Sequence, residues 1–100
     1  MARTGCTDDA ECADNLVWVA SIEERRGNYR RAMGYYEHAQ EKAPERRDII
    51  EHSAQLASSL EMHAQALEAY RKLSRLSPQT EKWHQLADRE KTLLFHEAAP

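Results

Sequence analysis

The amino-acid sequence predicts an all-α fold, and three observations support this prediction. Ala, Glu, Arg and Leu, which are all good helix formers, dominate the composition. Strand-forming residues are scarce, since Val occurs only twice and Thr only four times. Apolar residues recur at steps of three and four along most of the chain, which is the spacing of an amphipathic helix.

The length and composition indicate one folded domain. One hundred residues suffice for a single core or a short stack of repeats. A hydrophobic content of 41% is too high for a disordered chain. The formal net charge of −3 argues against nucleic-acid binding, which usually requires a basic excess.

No segment of the sequence predicts a membrane or secretory destination. No apolar run approaches the roughly 20 residues of a membrane-spanning helix. Residues 1–9 contain no apolar stretch of the kind found in secretory signals. We therefore expect a cytoplasmic protein.

The two cysteines, Cys6 and Cys12, both lie in the leading segment. In the cytoplasm they would stay reduced, and we expect two ordinary residues in a frayed end or a first helix. A disulfide across the short loop between them is the alternative, and it requires an oxidising compartment. A metal pair is less favoured because the spacing is too long for a zinc knuckle and no His lies nearby.

The chain repeats itself with a fixed period, which is the distance along the sequence from Gly27 to Glu61. When the sequence is shifted by this period, small residues, aromatic residues and a proline coincide in the same order. The coinciding pairs include Gly27 with Glu61, Ala32 with Ala66, Tyr36 with Tyr70 and Pro44 with Pro78. We therefore divide the chain into an N-terminal segment at residues 1–12, two repeats at residues 13–46 and 47–80, and a final helix at residues 81–97.

The first copy predicts two helices joined by a tight turn. Gly27 and Asn28 form the turn signal. Pro44 ends the second helix, because proline lacks the amide hydrogen that a helix interior requires. The shared face of the first helix is formed by Leu16, Val19, Ala20, Ile22 and Glu23, and that of the second by Tyr29, Ala32, Met33, Tyr36 and Ala39.

The second copy predicts the same arrangement, with Pro78 as the stop. Its first helix shares a face formed by Ile49, Ile50, Ser53, Ala54, Leu56 and Ala57, and its second a face formed by Ala66, Leu67, Tyr70, Leu73 and Leu76. We expect the repeated alanines where helices approach closely, since overpacking there costs about 1–3 kcal/mol. One helix pair cannot cover its own apolar face, so the repeats must stack.

Residues 81–97 depart from the repeat and predict a closing helix with an apolar inner face and a polar outer face. Its apolar positions are Trp83, Leu86, Ala87, Leu93 and Leu94. Glu90 interrupts this face, and Trp83 is expected in the core. Ser77 or Thr80 is a candidate cap for the start of the helix.

These motifs resemble the tetratricopeptide repeat (TPR) family. The resemblance rests in the first copy on Leu16, Val19, Ala20, Gly27, Tyr29, Ala32, Tyr35, Tyr36, Ala39 and Pro44, and in the second on Ile50, Ala54, Ala66, Tyr70, Leu73 and Pro78. The chain departs from the family pattern at the positions where it has Ala20, Ala54, Glu23, Ala57 and Glu61. The resemblance implies a right-handed α-solenoid of two helix–turn–helix repeats with a C-terminal capping helix.

The same resemblance implies an adaptor, chaperone or scaffold module that binds a peptide or protein segment in a concave groove. The groove positions that it assigns are Asp14, Val17, Trp18, Ser21, Glu24, Asp48, Glu51, Gln55, Ser58, Lys82, Gln85 and Arg89. The alternative is a solvated polar face, since every solenoid has one. Trp18 stands where a polar residue is usual, so it is a partner anchor, or it packs under residues 1–12 or against a further repeat.

One specialised use of the groove is not expected. Some family members clamp a C-terminal carboxylate with Lys, Asn and Arg side chains. The matching positions here hold Val17, Ser21, His52, Lys82 and Leu86. Only Lys82 fits, and Glu51 and Asp48 would repel an acidic tail.

The sequence contains no motif for catalysis, for a cofactor or for a metal. Nucleophile elbows, zinc-protease motifs, phosphate loops and dinucleotide fingerprints are missing, and the five histidines are scattered. We therefore expect neither an enzyme nor a bound cofactor or metal.

Arginines gather at Arg25, Arg26, Arg30 and Arg31, and again at Arg46 and Arg47. Because Glu23, Glu24, Glu41 and Glu45 lie close by in the sequence, we expect a solvated rim of ion pairs rather than a nucleic-acid or membrane patch. The main alternative function is self-association as a homodimer through the face around Tyr29, Met33 and Trp18. RNA binding is a more distant alternative, because the expected groove is mixed to acidic.

Overall fold

The computed structural model describes residues 8–98, and this part of the chain is all-helical as predicted. Its five helices are α1 (Asp9–Arg25), α2 (Tyr29–Lys42), α3 (Arg47–Ser59), α4 (His63–Leu76) and α5 (Glu81–Ala98). No strand occurs between residues 8 and 98. None of the helices found there is long and apolar enough to cross a membrane.

The chain divides into two compact units whose boundary falls within α3, between Ile49 and Ile50. In the first unit α1 packs against α2, and in the second α4 packs against α5. The first unit covers Met1–Ile49 and the second covers Ile50–Pro100.

The first helix begins earlier than the boundary between segment 1–12 and the first repeat. Asp8 is the N-cap of α1, and its Oδ1 accepts a hydrogen bond of 2.8 Å from the amide of Glu11. Asp9 and Glu11 in the first turn also stabilise the helix, because negative charge is favourable near the partial positive charge of a helix N-terminus. Residues 9–12 therefore form the first part of α1.

The turn between α1 and α2 uses a left-handed residue. Gly27 has φ +82°, and the amide of Asn28 donates to the carbonyl of Glu23 at 2.8 Å. This bond satisfies one of the carbonyls that the end of α1 leaves without a helical partner. Glycine is suited to this conformation because a Cβ atom would strain it.

The turn between α3 and α4 has the same backbone one repeat period later. Glu61 has φ +61°, and the amide of Met62 donates to the carbonyl of Ala57 at 2.9 Å. Asn28 and Met62 also have nearly equal dihedral angles, with φ −88° and ψ 66° against φ −89° and ψ 68°. The two turns are therefore built alike although their sequences differ.

The ends of α2 and α4 also match. Ala43 and Ser77 follow these helices with φ −140° and ψ 72° and with φ −136° and ψ 70°. Each donates its amide to the carbonyl four residues earlier. Pro44 and Pro78 come next, and because the residue before a proline is biased away from helical angles, both helices stop where the sequence predicts.

The small and aromatic residues predicted to pack in the first unit are buried there. Ala20, Ala32, Tyr36 and Ala39 are fully inaccessible to solvent. The apolar face of α1 is less covered than the repeat pattern predicts, since Leu16, Val19 and Ile22 are not fully buried. Tyr29, predicted to line the inner face of α2, is 46% exposed.

The second unit has the larger apolar core. Its buried apolar side chains are Ile50, Ala54, Leu56, Ala57, Ala66, Leu67, Ala69, Tyr70, Leu73, Trp83 and Ala87. Trp83 is in the core as predicted, and its ring stacks on Tyr70 with centroids 6.4 Å apart. Leu76 differs from the prediction, because it lies at the end of α4 and is 38% exposed.

The final helix α5 has a buried inner face and an exposed outer face. Its buried positions are Trp83, Ala87 and Glu90. Its exposed positions His84, Asp88 and Lys91 lie one repeat period after Ile50, Ala54 and Ala57, which are buried. On α5, polar residues therefore stand at positions where α3 has buried apolar ones.

Glu90 corrects the sequence prediction for α5. The sequence pattern identifies it as a break in the apolar face, but its side chain is only 1% exposed and lies on that face. Burial of a carboxylate is unfavourable unless hydrogen bonds and opposite charge compensate it. Glu90 has two such hydrogen-bonding neighbours in the second unit, Ser58 and His63.

Candidate partner-binding surface

The first unit holds half of the predicted groove positions. Asp14, Trp18 and Asp48 are exposed there, whereas Val17, Ser21 and Glu24 are half-buried.

Asp14 and Asp48 are both paired with one arginine, which offsets one of their two negative charges. Arg46 Nη1 lies 2.6 Å from Asp14 Oδ1, and Arg46 Nη2 lies 2.8 Å from Asp48 Oδ2. The hydrogen bonds from Arg46 lower the pKa of the Asp48 carboxyl, and those to Asp48 and Asp14 raise the pKa of the Arg46 guanidinium. The sequence predicts pairing of Arg46 with nearby glutamates, and the structure pairs it with two aspartates instead.

Glu24 is engaged inside the first unit rather than left for a ligand. Its Oε1 accepts a hydrogen bond of 2.6 Å from the hydroxyl of Tyr36. Burial, followed by the hydrogen bond to Glu24 and its negative charge, raises the pKa of Tyr36 well above the ordinary value. Glu24 therefore fixes the polar end of a buried tyrosine, a role that the groove prediction does not include.

Trp18 is the most prominent apolar side chain of the first unit. It is 66% exposed on α1. The hydroxyl of Ser21 donates to the main-chain carbonyl of Trp18 at 2.8 Å, so the Ser21 side chain already has an acceptor within its own helix. An exposed tryptophan is unfavourable in water and is the residue type most enriched at interface hot spots.

In the second unit, Glu51 contacts two other predicted groove positions, Gln55 and Lys82. Gln55 Nε2 donates to Glu51 Oε2 at 3.3 Å, and Lys82 Nζ lies 3.8 Å from the same oxygen. Lys82 Nζ also lies 4.9 Å from the centre of the Trp83 ring, which is within the range of a cation–π contact. Glu51, Gln55 and Lys82 thus form a mixed polar patch whose charges partly cancel.

The remaining predicted positions of the second unit divide into two kinds. Gln85 and Arg89 are exposed on α5. Ser58 differs from the prediction, because its hydroxyl donates to Glu90 Oε2 at 2.9 Å instead of serving a groove.

A buried polar cluster in the second unit joins three helices and was not predicted. Glu90 Oε1 on α5 lies 2.7 Å from His63 Nδ1 at the start of α4, while Glu90 Oε2 accepts the hydrogen bond from Ser58 on α3. His63 is 8% exposed. The sequence signal that could have indicated this cluster is a carboxylate on an otherwise apolar helix face, which requires a buried partner.

The other histidines and the cysteines add no reactive grouping to the described surface. The hydroxyl of Ser74 lies 2.8 Å from Nδ1 of His84 in an exposed contact between α4 and α5. Cys12 is disulfide-bonded, which corrects the expectation of reduced cysteines. Cys6, which is the only other cysteine in the chain, lies outside the described residues.

The surface as a whole offers hydrogen bonds, opposite charges and one exposed indole. Among the side chains of residues 8–96, no three His, Cys, Asp or Glu are grouped so as to hold a metal ion. The hydrogen-bonding side chains, the opposite charges and the exposed indole of this surface can recognise polar ligands by direct contact. Comparison with protein-family models found no matching family, and comparison with curated proteins found no similar protein.

Proposed function

We propose that the chain is a tetratricopeptide-like interaction module, acting as an adaptor, chaperone or scaffold, that binds a peptide or protein segment through the groove positions. The observation that carries this proposal is the pair of turns around Gly27 and Glu61. They share their left-handed residue and their hydrogen bonds one repeat period apart. That period matches the repeat length of this family, which is about 34 residues.

Accessible groups on α1, α3 and α5 support the binding role. Trp18 on α1 offers a large apolar contact, and Glu51 with Lys82 offers both signs of charge. Binding a segment that carries both apolar and charged side chains would use each of these groups. Because Asp14 and Asp48 are already paired with Arg46, we do not expect them to dominate recognition.

Affinity purification from a lysate of the source cells, followed by mass spectrometry, tests the proposal. The groove variant carries Glu51→Arg and Gln55→Arg, and a second variant carries Trp18→Ala. The matched control carries Gln65→Arg and Glu68→Arg, which alter two exposed positions of α4 outside the groove set. A recovered protein supports the proposal if the groove variant or the Trp18 variant loses it and the control keeps it.

The partner found in this way must then bind the purified chain directly, in a titration with a peptide from its sequence. A truncation of Trp18 at a true anchor is expected to weaken that binding by about 2 kcal/mol or more. Equal recovery of the same proteins by the parent and all variants would contradict a groove function.

Self-association as a homodimer is the second candidate, and Trp18 is again the observation that favours it. Met33 was predicted to belong to the self-association face, but it is only 4% exposed and packs in the core of the first unit. Trp18 and Tyr29 remain exposed. Sedimentation of the parent and of Trp18→Ala decides between a dimer and a monomer, since a dimer through Trp18 becomes a monomer in the variant.

RNA binding, the more distant alternative, would instead appear as an affinity for RNA that falls steeply as the salt concentration rises.

A further inference from the structure

The turn between α1 and α2 carries an exposed cluster of arginines. Arg25, Arg26, Arg30 and Arg31 all lie within residues 25–31 and are exposed, in a chain whose net charge is −3. Residues Gly27 to Arg31 line a shallow open depression at the same place. Four like charges this close repel one another, and an acidic neighbour or partner would relieve this repulsion.

The acidic side chains nearest in sequence are already occupied. Glu23 Oε1 accepts a hydrogen bond of 2.8 Å from Asn28 Nδ2, and Glu23 Oε2 lies 3.8 Å from Arg31. Glu24 accepts the hydrogen bond from Tyr36. The expected rim of ion pairs therefore forms only in part.

Three of the four arginines have no carboxylate partner in the described chain. Arg31 has its contact with Glu23. For Arg25, Arg26 and Arg30, no carboxylate oxygen of residues 8–96 lies within 4.0 Å of the guanidinium nitrogens. Their charge is consequently available to a partner.

The matching turn of the second unit shows that the fold does not require these charges. It has the same left-handed residue and the same hydrogen bonds. The residues that stand one repeat period after the four arginines are Ser59, Leu60, Ala64 and Gln65, and all are uncharged. Only one of the two turns carries the arginines, and the left-handed residue and hydrogen bonds that form the turn do not depend on them.

We propose that this arginine turn, residues 25–31, is a docking surface for an acidic peptide segment of a partner protein. Guanidinium groups bind carboxylates through two parallel hydrogen bonds, so clustered arginines fit a run of Asp and Glu side chains. Tyr29, which is 46% exposed within the cluster, offers an apolar contact to the same segment. The patch is short, and Glu23 and Glu24 lie beside it, whereas a nucleic-acid site requires an extended basic surface.

Fluorescence anisotropy with a labelled peptide of alternating Glu and Gly tests the proposal, beside a Gln and Gly peptide of equal length. The arginine-turn variant carries Arg25→Ser, Arg26→Gln, Arg30→Ala and Arg31→Gln, which approximate the neutral turn of the second unit. The matched control removes four exposed positive charges elsewhere, by Lys42→Gln, Arg71→Gln, Arg75→Gln and Lys91→Gln. Thermal unfolding of each variant shows whether it is folded.

We expect the parent to bind the Glu peptide, and to bind it less tightly as salt rises from about 0.05 M to about 0.5 M. The arginine-turn variant should bind at least about tenfold more weakly, and the control should change less than about twofold. If the arginine-turn variant unfolds, Arg25→Glu with Arg26→Glu replaces it, because neither residue has a described ion-pair partner.

Three results would overturn the proposal: no salt-dependent binding of the Glu peptide by the parent, an equal loss in the arginine-turn variant and the control, or tighter binding to single-stranded RNA or anionic vesicles than to the Glu peptide. The proposal is independent of the groove function. The groove variant Glu51→Arg with Gln55→Arg adds positive charge in the second unit, so it should retain binding of the Glu peptide.

Discussion

Gly27 and Glu61 occupy the same place in two turns one repeat period apart, and both have a left-handed backbone, with φ +82° and φ +61°. A glycine adopts this conformation without strain, whereas a residue with a Cβ atom loses roughly 1–2 kcal/mol there. Gly27 therefore suits its left-handed conformation, whereas Glu61 is strained in the same conformation. This difference leads to two predictions about stability.

Replacing Gly27 by alanine should lower the free energy of unfolding by about 1 kcal/mol. A Cβ at this position meets no atom within 4 Å, so the loss comes from backbone strain alone. Gly34→Ala is the control, because Gly34 lies within α2 and a Cβ there also meets nothing within 4 Å. In a helix alanine is favoured, so Gly34→Ala should raise the free energy by roughly 0.5–1 kcal/mol. Urea unfolding measures both, and effects of equal sign would contradict the assignment of strain.

Glu61→Gly should stabilise the protein by up to about 1 kcal/mol, because it removes the strain of a left-handed residue that has a side chain. The gain is limited by the greater freedom of glycine in the unfolded chain. Glu61→Ala is the control, since it removes the carboxylate but keeps the Cβ atom. If both variants change stability equally, the charge of Glu61 and not its backbone is responsible.

Removing one partner of the buried cluster should be costly. In His63→Leu the carboxylate of Glu90, only 1% exposed, loses the group 2.7 Å away. The expected loss is about 1–3 kcal/mol, because one buried carboxylate oxygen is left without its neighbour while Ser58 still donates to the other oxygen. The double variant His63→Leu with Glu90→Leu should recover most of this loss, since it removes the charge as well. A double-mutant cycle in urea measures the coupling, and purely additive effects would show that the two side chains are energetically independent.

Arg46→Met should lower the free energy of unfolding by no more than about 1 kcal/mol at low salt, because its aspartate partners are well exposed and screened by solvent. The effect should depend on pH in a defined direction. Arg46 lowers the pKa of Asp48, so its contribution is present above the ordinary Asp pKa of 3.8 and is lost as the pH falls through the lower folded value. Thermal unfolding of parent and variant between about pH 7 and about pH 2 should show their difference vanishing at the acid end. A difference that persists there would assign it to packing of the Arg46 side chain.

Tyr36→Phe should destabilise the first unit by about 1.5–3 kcal/mol, because it removes a hydrogen bond to a charged acceptor. Tyr70→Phe is the matched control, since the Tyr70 hydroxyl has no such carboxylate partner among the described residues and should lose less. Because the pKa of Tyr36 is raised, its contribution is present below the ordinary tyrosine pKa of about 10 and is lost as the pH rises above it. Unfolding curves on the alkaline side should therefore be flatter with pH for Tyr36→Phe than for the parent.

The buried alanines and the helix ends could be predicted from the sequence because they depend on local patterns. Ala20, Ala54, Ala32 and Ala66 are buried at the positions that the spacing indicates. The ends of α2 and α4 lie just before proline, where local sterics decide the backbone. Leu76 is the exception, since its place on the apolar stripe does not reveal that the helix end is exposed.

The candidate surface was predicted less well because a polar side chain can face either solvent or a buried partner. Ser58 and Glu24 have the spacing of surface residues, yet each is bound within its own unit, to Glu90 and to Tyr36. Spacing along one helix carries no information about donors on a different helix.

Short-range patterns in the chain are enough to specify the helices of this protein, their order and most of the residues in its core, because helix periodicity, proline stops and small residues act over a few positions. The partners of the charged groups became known only from the packed helices. Arg46 bridges Asp14 and Asp48, and Glu90 meets His63. These contacts join residues up to 32 positions apart, and their energy depends on distance and burial, which the folded arrangement of helices alone sets.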